Sequence, residues 1–491
     1  MFETAELGVS VDKEVFKREV PKLREGLLGV QKALAASELA AVVIIGGVEG
    51  AGKTEVVNQL LEWLDGRGVE THAMGASTDE ERERPPMWRF WRLLPPRGRM
   101  GIFLGSWYTD HIVQRVFGKM GDGTFGQALD RIVDFERMLV EEGVVVVKFW
   151  LHLKRDTVVK RMKALEKDPL QSWRVTPQDW KFVKRFRRFS RISEKALRRT
   201  GIGEAPWHIV EATDARYRTL TVGKTLLELL QDRLAGWKAR SKPQHVPDRP
   251  KPPKVNIIRN LDLSLALVDS RYEKELLSRM AELNLLTRRL YEKRRSLILV
   301  FEGPDAAGKG GAIRRLTAAM DARNYQHIAV AAPTDEERAH PYLWRFWRTL
   351  PRLGRVTIYD RSWYGRVLVE RIEGFCSRED WQRAFAEINV FEEALTDFGI
   401  ILLKFWLAIS PQEQLRRFKD RQGTPYKHYK ITEEDWRNRA KWNAYEAAAV
   451  EMIEKTSTAA TPWVPVEAEN KNWARIQVMK TVIRHLKKDL G

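Results

Sequence analysis

The chain has 491 residues, of which 43% are hydrophobic and 31% are charged, and its formal net charge is +19. This length exceeds what one hydrophobic core supports, so we expect two domains. The composition excludes a largely disordered chain, and no apolar run approaches the ~18 residues that a membrane span needs. The single cysteine, Cys376, excludes an intramolecular disulfide; with a start that lacks a signal-like apolar stretch, it predicts a cytoplasmic location.

Helical and strand patterns alternate along both halves of the chain. Each half opens with a helical pattern, at 13–36 and at 271–294, whose apolar residues recur every three or four positions. Short apolar runs then predict strands at 39–45, 70–74, 101–104, 144–151 and 207–210, and at 296–301, 327–331, 356–359, 400–407 and 463–466. Helical stretches separate these runs. The alternation predicts right-handed βαβ units and therefore two α/β domains, each a doubly wound parallel sheet.

The two halves are copies of one another. GVEGAGKT at 47–54 reappears as GPDAAGKG at 303–310, an offset of 256 residues from Gly47 to Gly303. At the same offset the chain repeats TDEE, WRFW, SWY and KFWL, at 78–81, 88–91, 106–108 and 148–151 in the first copy. Between the copies, the stretch 241–254 holds five prolines, which favour an extended spacer. We therefore predict a degenerate, non-catalytic domain at 1–240, a linker at 241–254 and a catalytic domain at 255–491.

The repeated glycine-rich segment has the pattern of a P-loop. It follows a predicted strand and precedes a helix, so its backbone N–H groups and the helix dipole would attract phosphate. Lys53 and Lys309 stand at the position of the P-loop lysine. The first copy completes the motif with Thr54, whereas the second has Gly310 where a magnesium-binding hydroxyl is expected. The motif alone would therefore favour the first copy.

Acidic residues favour the second copy instead. Its third strand ends in Asp360 and Arg361, at the sheet edge where ligands of open α/β sheets bind, whereas the first copy has Leu104 and Gly105. Phosphoryl transfer needs a carboxylate to hold magnesium and positive groups to offset charge on the transferred phosphoryl group. We therefore predict that catalysis resides in the C-terminal half.

A basic segment after the fourth strand of the second copy is predicted to form a helical lid. It runs from 416 to 432 and includes Arg417, Arg421 and Lys427. Such a lid would close positive side chains over phosphates and exclude water. A solvated helix end is the alternative reading of this segment. In the WRFW segment, the aromatic residues are expected to line the core or a cleft, and Arg345 is a candidate contact for the substrate.

These motifs together resemble the polyphosphate kinase 2 family, in its two-domain form. GPDAAGKGG at 303–311, PTDEE at 333–337, YLWRFWRTLP at 342–351 and YDRSWYGRVLVER at 359–371 occur in the family's order, followed by PYKHYKITEEDW in the lid. The resemblance implies two thymidylate-kinase-like P-loop domains. It also implies magnesium-dependent transfer of a phosphoryl group from inorganic polyphosphate to AMP, giving ADP.

The resemblance also implies roles for individual residues. Asp305 and Asp360 would hold Mg²⁺, and Lys309 and Arg361 would stabilise the transferred charge. The other residues expected to contact phosphate are Gly303, Ala306, Ala307, Gly308, Gly310, Arg417, Arg421 and Lys427. Those expected to contact the acceptor are Asp335, Glu337 and Arg345. Which lid residues contact the polymer and which the acceptor stays open.

Two other functions compete with this interpretation. An ATP-dependent nucleoside monophosphate kinase would use the same fold and P-loop. A nucleic-acid-binding P-loop protein would account for the net charge, although no helix-turn-helix, RNP or zinc pattern accompanies it. We therefore expect polyphosphate and AMP or ADP as partners, no membrane partner and no nucleic acid, and leave a homodimer open.

Overall fold

The computed structural model describes residues 1–201, 203, 205–239, 247–248, 250, 256–425 and 431–491. The chain forms two compact units. One consists of Met1–Ser77, Arg89–Ser241 and Pro333–Trp344, and the other of Thr78–Trp88, Lys242–Ala332 and Arg345–Gly491. Most of the predicted linker, 241–254, lies outside the described residues, so the proposed domain boundaries stay a prediction.

The described residues of the first half form five strands and ten α-helices. The strands are β1 (Ala40–Gly47), β2 (Val69–Ala73), β3 (Met100–Leu104), β4 (Val144–His152) and β5 (Trp207–Glu211). The helices are α1 (Lys13–Ala35), α2 (Lys53–Trp63), α3 (Asp79–Arg82), α4 (Trp88–Trp91), α5 (Thr109–Val116), α6 (Asp122–Glu141), α7 (Arg155–Lys167), α8 (Pro177–Lys184), α9 (Phe186–Thr200) and α10 (Ala215–Ala239). Short 3₁₀ helices occur at Glu3–Ala5, Gly66–Gly68 and Ser172–Arg174.

The second half repeats this order. Its strands are β6 (Ser296–Glu302), β7 (Tyr325–Ala329), β8 (Val356–Asp360), β9 (Ile400–Ala408) and β10 (Trp463–Glu467). Its helices are α11 (Asp269–Glu292), α12 (Lys309–Thr317), α13 (Asp335–Arg338), α14 (Trp344–Arg348), α15 (Val369–Glu373), α16 (Arg378–Asp397), α17 (Pro411–Gln422), α18 (Glu433–Ala440), α19 (Trp442–Thr456) and α20 (Lys471–Leu490), with a 3₁₀ helix at Trp363–Val367. All ten predicted strands are thus confirmed.

Both sheets are parallel and have the same strand order. It is β2-β3-β1-β4-β5 in the first sheet and, from the equivalent edge, β7-β8-β6-β9-β10 in the second. The strand that precedes the glycine-rich loop is therefore central in each sheet. Phe301 in β6 is in register with Asp360 in β8 and with Phe405 in β9. Because parallel strands end at one edge, this register places the end of β8 beside the loop that follows β6.

A buried polar cluster recurs at the same place in both halves. Lys404 Nζ lies 2.7 Å from Glu392 Oε2, and the hydroxyl of Tyr364 donates to Glu392 Oε1 at 2.6 Å. Burial lowers the pKa of Lys404, and Glu392 acts in the opposite direction. Lys148, Glu136 and Tyr108 form the equivalent cluster in the first half. Because a buried charge needs a partner, the cluster fixes the turn that follows β8, and likewise the turn that follows β3.

The aromatic residues of the WRFW segment are buried, as predicted. Trp344, Phe346 and Trp347 each expose 5% or less of their surface. Phe346 packs edge-on against Trp363, at a centroid distance of 5.7 Å. Within the described part of the chain, none of the helices combines the length and the apolar character that crossing a membrane requires.

Candidate phosphoryl-transfer site

The loop between β6 and α12 is held in a conformation suited to anions. Gly303, Ala306 and Gly308 all have positive φ, at 141°, 64° and 108°. A Cβ atom at Gly303 would lie 2.5 Å from the carbonyl oxygen of Leu407, so only glycine fits there. Lys309 Nζ donates to the carbonyl of Gly303 at 2.8 Å, which folds the lysine back over the loop. Successive N–H groups at a helix N-terminus then face the enclosed space.

Asp305 lies within this loop and is held from two sides. Arg361 Nη2 donates to its Oδ1 at 2.7 Å, and Asn438 Nδ2 donates to its Oδ2 at 2.9 Å. Burial alone would raise the pKa of Asp305, but Lys309 and Arg361 outweigh burial and lower it. The side chain is therefore a carboxylate in a fixed orientation at neutral pH.

Arg361 occupies a backbone conformation that is unfavourable for its residue type. Its φ is 63°, and the corresponding Gly105 in the first half has a φ of 79°. A residue with a side chain in the left-handed region costs about 1–2 kcal/mol relative to the right-handed one. Such strain persists where the surroundings compel it, often at functional sites. The same contrast recurs at Ala306, where the first half has Gly50 with a φ of 74°.

Asp360 faces the first turn of α12. Its Oδ2 lies 3.8 Å from where a Cβ atom would be on Gly310, the position that carries a magnesium-binding hydroxyl in the full P-loop motif. The carboxylate therefore reaches the space that the missing hydroxyl would occupy. Among the described residues no group of three His, Cys, Asp or Glu side chains could hold a metal ion on its own. Mg²⁺ usually binds one or two carboxylates plus substrate phosphates and water, so Asp360 beside the loop fits that ion.

Glu302 is a buried acid that the sequence analysis missed. It ends β6, exposes 4% of its surface, and accepts a hydrogen bond from Ser362 Oγ at 2.8 Å. Burial raises the pKa of Glu302 to about 7, although Ser362, Lys309 and Arg361 act in the opposite direction. The residue 256 positions earlier is Gly46, so a comparison of the two copies would have shown that an acid is present here in the second copy alone.

The predicted lid residues lie in different environments. Arg417 is buried, and its guanidinium donates to the carbonyls of Ala306 and Ala307, both at 2.9 Å. Arg421 is half-buried in the last turn of α17, and Lys427 lies outside the described residues. Arg161 makes the equivalent contact in the first half, with Gly50. Arg417 thus supports the backbone of the loop through its carbonyls. Direct contacts of Arg417, Arg421 and Lys427 with phosphate stay a prediction.

The predicted acceptor residues make local contacts. Glu337 and Thr334 form a capping box at the start of α13, and Asp335 is paired with Arg338. Arg345 Nη2 donates to the carbonyl of Ala331 at 3.2 Å. The structure thus brings together Asp305, Lys309, Asp360 and Arg361 at one sheet edge, and the assignment of Asp335, Glu337 and Arg345 to the acceptor stays a prediction.

A cavity of about 110 Å³ opens beside Asp305 and Arg361. Its apolar walls include Leu368, Trp406 and Trp442. Asn438 and Tyr445, which the sequence analysis also missed, line the same space. The cavity therefore combines an apolar surface with polar groups that converge on the loop, as is typical of a small-molecule site.

The corresponding loop of the first half is arranged differently. Lys53 Nζ lies 3.1 Å from the carboxylate of Glu49, so the charge of this lysine is matched within the loop. Arg174, in the segment that corresponds to the lid, is paired with Glu55 in the first turn of α2. The position of Glu55 is Gly311 in the second half. The first half thus has the loop of a phosphate site, but it has no counterpart of Asp360 and Arg361.

Comparison with known proteins shows the family to which the chain belongs. The family model for polyphosphate kinase 2 (PPK2) matches residues 10–236 and again residues 266–490. The chain belongs to the polyphosphate kinase 2 family. This PPK2 protein is 50% identical to a Pseudomonas aeruginosa protein named polyphosphate:AMP phosphotransferase, over 98% of each chain. A protein of the same name from Acinetobacter johnsonii is 35% identical over 91% of each chain.

A solved structure shares the fold of both halves. The crystal structure of a polyphosphate kinase 2 from Pseudomonas aeruginosa superimposes on this PPK2 chain with a TM-score of 0.90 and 48% identity. The match covers 100% of this chain and 99% of the other. The tandem arrangement of two α/β units is therefore shared along the full length of the chain.

Proposed function

We propose that this protein transfers a phosphoryl group from inorganic polyphosphate to AMP and forms ADP. Its relatives from Pseudomonas aeruginosa and Acinetobacter johnsonii are named for that reaction and align with nearly all of the chain. The net charge of +19 suits a polyanionic donor. A cytoplasmic location and the possibility of a homodimer remain predictions of the sequence.

We place catalysis in the C-terminal half. The observation that carries this assignment is Arg361, whose guanidinium meets Asp305 from a backbone position where the first half has glycine. Lys309 and Arg361 would bring two positive charges to the phosphoryl group as it moves between oxygens. Asp305 orients Arg361 in that role. Such preorganised charges act most strongly where water is excluded, and the half-buried site favours this.

Mg²⁺ fits the space between Asp360 and the start of α12. When bound, this ion would neutralise phosphate charge and align the donor and the acceptor. Asp360 would hold it, with Asp305 nearby as a second acid. The chain's own contribution is positioning: phosphoryl transfer requires little covalent participation by the protein.

The test is an assay for ADP made from AMP, Mg²⁺ and polyphosphate without added ATP. We expect ADP to form, and we expect ATP to be a poor substitute for polyphosphate. Formation of ADP only with ATP would identify a nucleoside monophosphate kinase instead. Raising the salt concentration should weaken polyphosphate binding steeply, because a polyanion releases counterions when it binds.

Variants in each half test the location of catalysis. Asp360→Asn preserves the shape of the side chain but removes the charge, and we expect it to lower kcat at least about 100-fold. Lys53→Met changes the P-loop lysine of the first half and should leave most of the activity. Full activity in Asp360→Asn, or its loss in Lys53→Met, would contradict the assignment.

A further inference from the structure

Asp305 is linked to two helices beyond the lid by a chain of hydrogen bonds. Its Oδ2 accepts from Asn438 in α18, and the Oδ1 of Asn438 lies 3.1 Å from the hydroxyl of Tyr445 in α19. Because a carboxylate can only accept, the amide nitrogen of Asn438 must face Asp305 and its oxygen must face the tyrosine. Asp305 therefore fixes which way the amide points, and Tyr445 holds the amide oxygen from the other side.

The hydroxyl of Tyr445 has a second acceptor. Oε1 of Glu373, at the end of α15, lies 3.1 Å from it, yet the hydroxyl has one proton to give. Glu373 also binds Lys441 at 2.8 Å and Arg437 at 3.1 Å through its other oxygen. The tyrosine hydroxyl therefore bridges Glu373 and Asn438, with one proton shared between two acceptors at the same distance.

The first half has apolar residues at the three positions that form this chain of hydrogen bonds. Asn438, Tyr445 and Glu373 correspond to Phe182, Phe189 and Phe117. These three phenylalanines pack on one another, with centroid distances of 5.1 Å from Phe117 to Phe182 and 5.8 Å from Phe182 to Phe189.

The two halves share their fold but differ at these three positions. The same unit architecture forms with apolar residues at all three places, so folding does not require the hydrogen bonds. The buried Lys–Glu–Tyr clusters, by contrast, are the same in both halves. The polar chain occurs in the half that has Asp360 and Arg361, which suggests that it serves the reaction.

We propose that Asn438 and Tyr445 are positioning residues that hold the Asp305 carboxylate in the orientation in which it pairs with Arg361. Asn438 is a neutral donor, so it orients the carboxylate without supplying a second positive charge beside Arg361. Its helix, α18, begins at Glu433, soon after the predicted lid. The inference rests on the proposed function and adds to it the residues that align the acid.

The test uses two nearly isosteric variants of the full-length chain, assayed with AMP and polyphosphate. Tyr445→Phe removes one oxygen and creates the residue type found in the first half. Asn438→Asp removes the donor and places a like charge against Asp305. The control is Tyr272→Phe, which removes a hydroxyl in α11 that contacts Arg475. Melting temperatures and the KM values for both substrates are measured alongside kcat.

We expect Tyr445→Phe to lower kcat about tenfold, with both KM values and the melting temperature close to those of the control, because a misplaced group loses transition-state contacts alone. Asn438→Asp should be more severe. The double variant should be no worse than Asn438→Asp, since Tyr445 acts through Asn438.

Other outcomes separate the two claims. Unchanged kcat in Tyr445→Phe, or losses that multiply in the double variant, would overturn the positioning role while the proposed function stands. A loss that appears as a fall in melting temperature would assign the pair to packing and also overturn it. A folded wild-type chain that makes no ADP from AMP and polyphosphate would refute the proposed function, and this inference with it.

Discussion

Replacing Arg417 by alanine should destabilise the second unit. Any effect on phosphate binding should be a consequence of that loss of stability. The guanidinium is 2% exposed and joins three segments. It donates to the loop at Ala306 and Ala307, to the end of the sheet at Ala468 and Glu469, and to Glu413 in its own helix. Alanine would leave all of these acceptors without that partner.

The expected size of the effect follows from burial. Glu413 keeps Arg416 as its partner, so the loss comes mainly from the four carbonyls that Arg417 binds; at about 1 kcal/mol for each lost hydrogen bond, we expect a cost of about 3–5 kcal/mol. In a domain of 150–250 residues, each kcal/mol shifts the melting temperature by about 2–4 °C, so we expect a fall of roughly 10 °C. Activity should fall as well, because the loop carbonyls that Arg417 holds belong to the residues beside Asp305.

Differential scanning calorimetry with and without polyphosphate measures this effect. Arg161→Ala is the matched control, because Arg161 makes the same kind of contact with Gly50 in the first half. It should lower the stability of the first unit without changing kcat. Arg417→Lys should behave like alanine, since one ammonium cannot reach four carbonyls and a carboxylate in fixed directions. If Arg417→Ala melted like wild type and only raised the KM for polyphosphate, Arg417 would be a phosphate ligand, and the reasoning would be wrong.

Three further predictions follow from single side chains. Because burial raises the pKa of Glu302 to about 7, its neutral form stabilises the fold below pH 4.5, and that stabilisation is lost as the pH rises through 7. In urea titrations the unfolding free energy of wild type, relative to Glu302→Gln, should fall by about 2–3 kcal/mol from pH 5 to pH 8, and a flat difference would contradict this. Burial raises the pKa of Cys376 to about 12, so a thiol reagent at pH 8 should label the native protein far more slowly than the unfolded one; equal rates would show an accessible thiolate. Arg361→Gly should lower kcat at least about 100-fold while the melting temperature changes little, because relief of the left-handed strain offsets the lost pair with Asp305; a large loss of stability would mean that the pair dominates.

The fold could be predicted from the sequence because its strands are unusually distinct. β4 and β9 are buried along their whole length, so each is a mainly apolar run that is interrupted by the lysine of the buried cluster. The strand at 327–331 was placed two residues too late, since β7 is Tyr325–Ala329 and lies at the sheet edge, where exposed and buried residues mix. Strand order was not accessible, because it depends on contacts between distant segments.

The site could be predicted in part. Asp305, Lys309, Asp360 and Arg361 were found because each stands at the end of a strand or inside the loop. Asn438 and Tyr445 were not, because they lie more than 130 residues beyond the loop on helices with no recognisable motif. Reading the copies against one another at all positions would have found them, since both are replaced by phenylalanine.

The corner at residue 105 also governs what substitution could do to the first half. Glycine adopts its φ of 79° without strain, so arginine placed there would destabilise the corner before gaining any partner. The acid it would need is the longer Glu49, already paired with Lys53, and Phe182 stands where an amide would have to be. Single changes are therefore each unfavourable, and giving this half the acid, arginine and amide of the second would require several changes at once. On the proposed assignment of catalysis to the second half, the unstrained glycine corner would oppose the stepwise return of a catalytic site to the first.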